Sequence, residues 1–167
     1  MRQTPIAILL AIFLFTAAAH AAEPGPADVV KAFNGAITAR NLDAALTYFA
    51  KGSVHYTLRS AHGGIAPGEG GITSDLKDHW SMIGPVVISS TTVYQRIPEI
   101  LATRVDGELA TVWAMISSRT VDHAGKEQKG KFSEVYLLVR TAAGWQIGAI
   151  ADNRGATAFA GAPAGAK

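Results

Sequence analysis

The sequence predicts an α+β fold in which three N-terminal helices precede a run of antiparallel strands. Residues 26–39 place apolar side chains at three- and four-residue spacing, which is typical of an amphipathic helix. Residues 86–152 are instead rich in β-branched and aromatic side chains and are interrupted by short turns, the clearest of which is Asp106-Gly107. Short connections favour pairing between consecutive strands, so we expect one curved, mainly antiparallel sheet with the helices on one face.

The helices are predicted from apolar spacing and from end signals. The first covers residues 26–39, starts with a proline suited to a first turn, and carries Asn34 off its apolar face. A second, short helix is expected within residues 41–51. Capping residues predict a third helix over residues 75–83, and Gly84-Pro85 is expected to end it.

The strands are predicted from β-branched and aromatic runs between turn signals. A glycine-rich loop over residues 61–72 separates the first strand from the third helix, and long loops of this kind often gate binding sites. The loop lacks the following Lys-Ser/Thr of a phosphate-binding loop. The predicted strands are residues 53–58, 86–96, 99–105, 108–121, 128–141 and 145–152.

Residues 1–22 have the layout of a secretory signal peptide. Arg2 precedes an uninterrupted apolar run over residues 6–15, and Ala19-His20-Ala21 fits the cleavage pattern. The run is shorter than the about 20 residues that span a bilayer core, and an uncleaved N-terminal anchor is the alternative. We therefore expect a signal peptide at 1–21 and an exported, periplasmic or extracellular protein, with no membrane association after cleavage.

The rest of the chain is predicted to be one domain followed by a tail. Residues 26–154 form the domain, a length that allows a substantial core. Residues 155–167 are rich in alanine and glycine and have too few large apolar side chains to offset the entropy of ordering, which predicts a flexible tail. The hydrophobic content of 49% over 167 residues is therefore raised by segments outside the core.

Composition and motif content argue against several function classes. The chain has no cysteine, which excludes disulfides, thiolate metal sites and cysteine nucleophiles. A net charge of +2 provides no basic field for nucleic acid, so no nucleic-acid partner is expected. The histidines lack metal-ligand spacing, and we predict neither a metal site nor a cofactor; they include His55, His62, His79 and His123.

Three segments together carry a family resemblance. They are VVKAFNGAITARNLDAALTYFA running into VHYT, the third helix ending in Trp80, and the closing hairpin EVYLLVRTAAGWQIGAIADN. In order and spacing they resemble the nuclear transport factor 2-like superfamily, in particular its small SnoaL-like bacterial members. The resemblance implies a cone-shaped barrel that encloses one pocket, and in many members a homodimer formed through the sheet. Because members include isomerases, epoxide hydrolases, dehydratases, cyclases and non-catalytic binders, the fold does not imply a function.

The resemblance makes the first strand a candidate for chemistry, because isomerase relatives have an aspartate there that acts as the general base. Thr57 is nearest to that position here, so the carboxylate is missing. His55 shares a strand face with Thr57, and histidine suits proton transfer near neutral pH, which makes it a candidate base. The alternative is a histidine at a rim or in a polar corner.

Two further residues are candidates for chemistry. His79 lies on the apolar face of the third helix, where relatives present a pocket-lining side chain, and a satisfied core histidine is the alternative. Tyr136 corresponds approximately to the acid that helps hold an oxyanion in isomerase relatives, and its hydroxyl could donate that hydrogen bond. Its alternative is a packing role.

The candidate binding residues are Thr57, Trp80, Trp113, Asp152 and Asn153. Trp113 faces either the pocket or the outer surface of the sheet, and Asp152-Asn153 either stand at the pocket mouth or cap the sheet. Arg119 and Glu134 lie mid-strand and are expected to be solvated charges.

These observations favour an exported binding protein whose apolar pocket holds a small hydrophobic molecule. The missing first-strand carboxylate favours binding over isomerase chemistry. One alternative is an isomerase, dehydratase or cyclase that uses His55 or His79 for proton transfer and Tyr136 as a donor. Another is a homodimer that serves as an accessory to a second protein.

Overall fold

The computed structural model describes residues 23–57, 71–73 and 75–154, which form three helices and six strands. The predicted signal peptide (1–21), the predicted tail (155–167) and most of the glycine-rich loop lie outside these residues. Within the described ranges, no helix combines the length and apolar character needed to cross a membrane. The elements are α1 (Pro26–Thr38), α2 (Leu42–Leu46), β1 (Phe49–Thr57), β2 (Gly71–Thr73), α3 (Leu76–Ser89), β3 (Thr91–Asp106), β4 (Leu109–Asp122), β5 (Glu127–Thr141) and β6 (Gly144–Asp152).

Helix α1 forms where the apolar spacing predicts it. Pro26 occupies the first turn, and the Asp28 carboxylate accepts a hydrogen bond of 3.2 Å from the Gly25 N–H. The apolar face is buried, with Val30, Phe33 and Ile37 among its members. Helix α2 is shorter than expected because the chain enters β1 at Phe49, which pairs with Ile147 of β6.

Helix α3 does not end at Gly84-Pro85, and this prediction is wrong. It continues to Ser89, so residues 86–89, predicted as strand, are helical. Gly84 is buried against α2, and a Cβ there would lie 2.7 Å from Cδ2 of Leu42. Glycine therefore permits close helix packing here, and α3 also contacts β1 and β3. These tertiary contacts outweigh the hydrogen bond lost at a proline and the strand preference of β-branched residues.

The six strands form one open, curved sheet in the order β2-β1-β6-β5-β4-β3. Strands β1 and β6 pair in parallel, and every other neighbouring pair is antiparallel. The Asp106-Gly107 hairpin is confirmed, and Gly107 has the positive φ of +56° that such a turn requires. Strand β3 runs unbroken through Pro98, contrary to the predicted interruption, because β3 is an edge strand and proline is tolerated there.

The core lies between α1 and one face of the sheet, which we call the inner face. On β4 and β5 this face carries the even-numbered residues, including Val112, Ile116 and Leu138, all fully buried. The ring of Phe33 on α1 lies 5.1 Å from that of Phe49 and 6.4 Å from that of Tyr136. The α+β prediction is confirmed, although the described strands do not close into a barrel.

Candidate functional site

The inner face changes from apolar to polar along β4. Buried Ala114 and Ile116 are followed by Ser118 and Thr120, which pair with Gly130 and Gln128 of β5. The change occurs near the C-terminal end of α1, where the Thr38 hydroxyl accepts a 2.8 Å hydrogen bond from the Arg96 N–H and donates one of 3.0 Å to its carbonyl. At this end of the face lies a cavity of about 470 Å³, lined by Tyr94, Arg96, Ser118, Thr120, Gln128, Lys129, Gly130, Lys131, Phe132 and Arg154.

A buried polar network adjoins the cavity. Arg96 donates from Nη2 to both carboxylate oxygens of Glu134, at 2.7 and 2.6 Å, and from Nε to Oδ1 of Asn34 at 2.8 Å. Nδ2 of Asn34 donates to the Tyr136 hydroxyl at 3.0 Å, and that hydroxyl donates to Oε2 of Glu134. Four side chains from α1, β3 and β5 thus form one hydrogen-bonded group inside the domain.

The network corrects two predictions. Glu134 was expected to be a solvated charge, but it is buried because it shares the inner face with Phe132 and Tyr136 and finds a cation in Arg96. Asn34, expected off the apolar face of α1, is also buried. Its amide can lie there because Arg96, Tyr136 and the Val30 carbonyl provide its hydrogen-bond partners.

The network fixes the charge states of its members. Burial alone would lower the pKa of the Arg96 guanidinium, but the charge and hydrogen bond of Glu134, together with Tyr136 and Tyr94, outweigh it and hold the pKa above its ordinary value. Burial first, and the charge of Glu134 second, raise the pKa of the Tyr136 phenol. Arg96 is therefore a permanent cation, and Tyr136 keeps its proton.

A second charged group lies beside the first, at the end of β6. Asp152 is buried, and its Oδ2 lies 2.9 Å from Nε2 of His55 and 2.8 Å from Nε of Arg154. Nη2 of Arg154 also lies 3.8 Å from Oε1 of Glu134. The two groups are further joined by Phe132, whose ring centroid is 5.7 Å from Cζ of Arg96 and 4.5 Å from Cζ of Arg154.

Comparison with known proteins identifies the fold. No family model and no curated protein sequence matches the chain. A structure described as that of a suggested aromatic ring hydroxylase from Novosphingobium aromaticivorans is 16% identical, covers 76% of this chain and 84% of its own, and has a TM-score of 0.62. A ketosteroid isomerase-like protein from Erwinia carotovora atroseptica is 17% identical, with coverage of 75% and 89% and a TM-score of 0.58.

A third match is named for its fold. It is an NTF-2 like protein of unknown function from Shewanella oneidensis, 9% identical, with coverage of 76% and 94% and a TM-score of 0.59. The chain has the nuclear transport factor 2-like (NTF2-like) fold. At sequence identities this low, the shared NTF2-like architecture does not define the chemistry of the site.

In this NTF2-like fold, His55 and Asp152 come together as a pair on the inner face. Thr57 lies opposite Asp152 in the β1–β6 register, so its backbone is beside the same group, while its side chain lies outside the described residues. Asp152 accepts hydrogen bonds from charged and titratable partners, an arrangement that orients the His55 ring.

Tyr136 lies in β5, where it has the packing role that was the alternative to an oxyanion donor. Its hydroxyl is fully buried and donates to Glu134, so it presents no proton to a substrate oxygen and acts within the core. Packing of Tyr136 against Phe33 and the hydrogen bonds of its hydroxyl with Asn34 and Glu134 hold the hydroxyl inside the domain.

The remaining predicted residues are divided between the core and the surface. Trp80 packs against the core from α3, and His79 is half-buried in the same helix. The described residues that line the cavity include neither of them. Trp113 is 51% exposed on the opposite, outer face of the sheet, which corrects its assignment to the pocket. Asn153 accepts a hydrogen bond of 2.8 Å from the Ser133 N–H, as expected of a residue that caps the sheet.

Sequence reasoning missed Arg96, Phe132 and Arg154. Phe132 and Leu138 mark the buried face of β5, and their spacing places Glu134 on that face as well. A buried glutamate needs a cation, and this would have directed a search toward arginines on neighbouring strands. Among the described residues, no group of three or more metal-ligating side chains was found.

Proposed function

We propose that this protein binds a small organic molecule in the cavity at the polar end of the inner face. The observation that carries the proposal is a volume of about 470 Å³ whose lining includes two aromatic rings, two arginines, two lysines and three hydroxyls. Ligand pockets typically have volumes of about 300 to 1,000 Å³ and combine apolar contacts with a few fixed polar groups. Two structures of similar fold are described by reactions on ring compounds, a ketosteroid and an aromatic ring, which supports a ligand of this kind.

The residues that line the cavity favour a more polar ligand than the hydrophobic one expected from the sequence. An entirely hydrophobic molecule would leave the guanidiniums and hydroxyls of the wall unpaired, at a cost in free energy. A molecule with an apolar ring for Tyr94 and Phe132 and a polar group for Arg96 and Arg154 matches the described wall better. The partner proposed here is therefore amphipathic.

We also propose that the protein is exported, to the periplasm or beyond, and that it forms a homodimer. Export is supported by the apolar run and the cleavage pattern of residues 1–22. Dimer formation is supported by large apolar side chains exposed on the outer face, including Trp113, Val135 and Leu137. A dimeric accessory role for a second protein would use the same surface.

The second candidate function is an enzyme that transfers a proton. It is favoured by the His55–Asp152 pair, because a histidine oriented by a buried carboxylate is a common general base. The described lining of the cavity does not include His55, but its partner Asp152 is held by Arg154, which does line the cavity. A reaction of the isomerase, dehydratase or cyclase type would use a base at this position. Tyr136 takes no part in this mechanism.

One experiment tests these proposals together. The protein is purified from the periplasm or the culture medium of the cells that naturally produce it, and its native mass spectrum is recorded. We expect two chains that begin at Ala22, together with a small molecule that is released on unfolding. An empty protein whose melting temperature is also unchanged by a metabolite extract of the same cells would contradict the binding function.

The same measurement separates binding from catalysis. For a binding protein, the wild type and the His55→Gln variant should retain the same molecule in chromatography and mass spectrometry. A different isomer, or a molecule heavier by one water, in the variant would favour the enzyme. His123→Gln, on the exposed β4–β5 turn, is the matched control.

A further inference from the structure

We propose that the ligand is an aromatic or other planar monocarboxylate whose carboxylate is held between Arg96 and Arg154. This inference rests on the proposed function, because it names the class of molecule for the same cavity. Three observations support it: the hydrogen-bond donors that the two arginines leave available, the charge of the cavity wall and the position of Phe132.

In the described contacts, one guanidinium nitrogen of each arginine is without a hydrogen-bond partner. Arg96 uses Nε and Nη2 for Asn34 and Glu134, and Arg154 uses Nε and Nη2 for Asp152. Within the described part of the chain, Nη1 of either arginine has no hydrogen-bond partner. Both residues line the cavity, so two groups of N–H donors remain for a molecule that enters it.

The two guanidiniums are held in place before any ligand arrives. Glu134 accepts from Arg96 and also lies 3.8 Å from Nη2 of Arg154, so one buried carboxylate holds both cations. Asp152 fixes Arg154 from the other side. Donors that are already oriented lose little conformational freedom on binding, which favours tight recognition.

The cavity wall selects for negative charge. Its described lining contains four cationic residues and no acidic one. The nearby carboxylates, Glu134 and Asp152, are committed to the arginines. Guanidinium groups match the planar, two-oxygen geometry of a carboxylate.

Two observations favour a monocarboxylate with a ring over a phosphate. Glu134 and Asp152 already neutralise the two arginines, and Lys129 is paired with Glu127. Among the described contacts this leaves Lys131 as the cation of the wall without an acidic partner, so a single added negative charge is easier to accommodate than two. Phe132 lies under both guanidiniums and Tyr94 lines the same cavity, which provides apolar surface for a ring beside the carboxylate.

The test compares acids with their neutral amides. Thermal shift and calorimetric titrations are run on the full-length protein with benzoate and benzamide, phenylacetate and phenylacetamide, 2-naphthoate and 2-naphthamide, and inorganic phosphate. We expect at least one acid to bind about tenfold or more tightly than its amide, because charge-assisted hydrogen bonds are the stronger ones. Phosphate should bind more weakly than that acid.

Variants assign the effect to the arginine pair. Arg154→Gln should lower the affinity for the preferred acid about tenfold and leave the affinity for its amide unchanged, and Arg154→Lys should restore part of it. Arg119→Gln removes the same charge from the outer face and is the matched control. Circular dichroism and melting temperature show whether each variant is folded.

The outcomes are distinguishable. If acids and amides bind equally, or if Arg119→Gln weakens the acid as much as Arg154→Gln does, the anion inference is overturned while small-molecule binding stands. If phosphate binds as tightly as the best acid, the ring has no role and the proposed class is wrong. If no acid binds better than its amide and the native protein also carries no molecule, both the inference and the proposed function fail.

Discussion

The inner and outer faces of the sheet each carry an Arg–Glu ion pair, and the two pairs differ in burial and in their further hydrogen-bond partners. Arg96 and Glu134, on the inner face, are 5% and 1% exposed. Arg119 and Glu127, on the outer face, are 43% and 38% exposed. The inner pair also bonds Asn34 and Tyr136, whereas Glu127 is shared only between Arg119 and Lys129 in the described contacts.

The difference shows how burial decides what an ion pair does. On the outer face, hydrogen bonds from Arg119 and Lys129 lower the pKa of Glu127, but water can replace either partner. On the inner face the Arg96 and Glu134 side chains are almost completely buried, so each depends on the other and on Asn34 and Tyr136 for its hydrogen bonds. The inner pair therefore helps to fix the geometry of the interior, whereas the outer pair contributes little to the structure.

The largest expected effect follows from removing one arginine from each face. Arg96→Leu leaves the Glu134 carboxylate buried without its main cation, and we expect the free energy of unfolding to fall by about 3 to 5 kcal/mol. Arg119→Leu should leave it almost unchanged, because Glu127 is exposed to water. Urea unfolding followed by circular dichroism measures both.

A double variant sharpens the interpretation. Arg96→Leu combined with Glu134→Leu removes the unpaired charge, and we expect it to recover most of the loss. If the double variant is no more stable than Arg96→Leu alone, then lost packing rather than the buried charge explains the effect. If Arg119→Leu is as destabilising as Arg96→Leu, the contrast between the two faces is wrong.

The same contrast explains what could be predicted from the sequence. Helix α1 and the Asp106-Gly107 hairpin were predicted because their signals are local, as apolar spacing and a turn dipeptide are. The continuation of α3 through Gly84 was missed because it depends on Leu42, which is distant in sequence.

Prediction of the candidate site was limited for the same reason. His55 and Asp152 were identified as single residues, but their pairing depends on the parallel register of β1 with β6. Glu134 was assigned to the surface because a lone charge in a strand is usually solvated. What makes it an interior residue is Arg96, 38 positions earlier on β3, and no pattern within β5 contains that information.

A smaller effect is expected from Tyr136 in alkaline solution. Its pKa in the folded protein is raised, chiefly by burial, so above about pH 10 the unfolded chain releases the phenol proton while the folded protein retains it. Stability then falls with rising pH by about 1.4 kcal/mol per unit from this group. The difference in unfolding free energy between wild type and Tyr136→Phe should therefore shrink as the pH rises beyond 10.

Tyr56 provides the control for this measurement. It is exposed on β1, so Tyr56→Phe should follow the wild type at every pH. A constant difference between wild type and Tyr136→Phe from pH 8 to 11 would show that the Tyr136 phenol ionises as readily in the folded protein as in the unfolded one. The inner network would then be open to water.

The smallest effect concerns Ser53, which is as buried as the network but lies outside it. Its hydroxyl has no hydrogen-bond partner among the described residues, in contrast to the satisfied groups around Arg96. An unpaired buried hydroxyl costs about 1 to 3 kcal/mol relative to one with a partner. Ser53→Ala should therefore stabilise the fold by about 1 kcal/mol or less, once the small cavity left behind is included, and Ser117→Ala on the exposed outer face should change nothing. A loss of stability in Ser53→Ala would mean that this hydroxyl is bonded in solution, by water or by a bound molecule, and would add a second residue of β1, after His55, to the polar groups of the inner face.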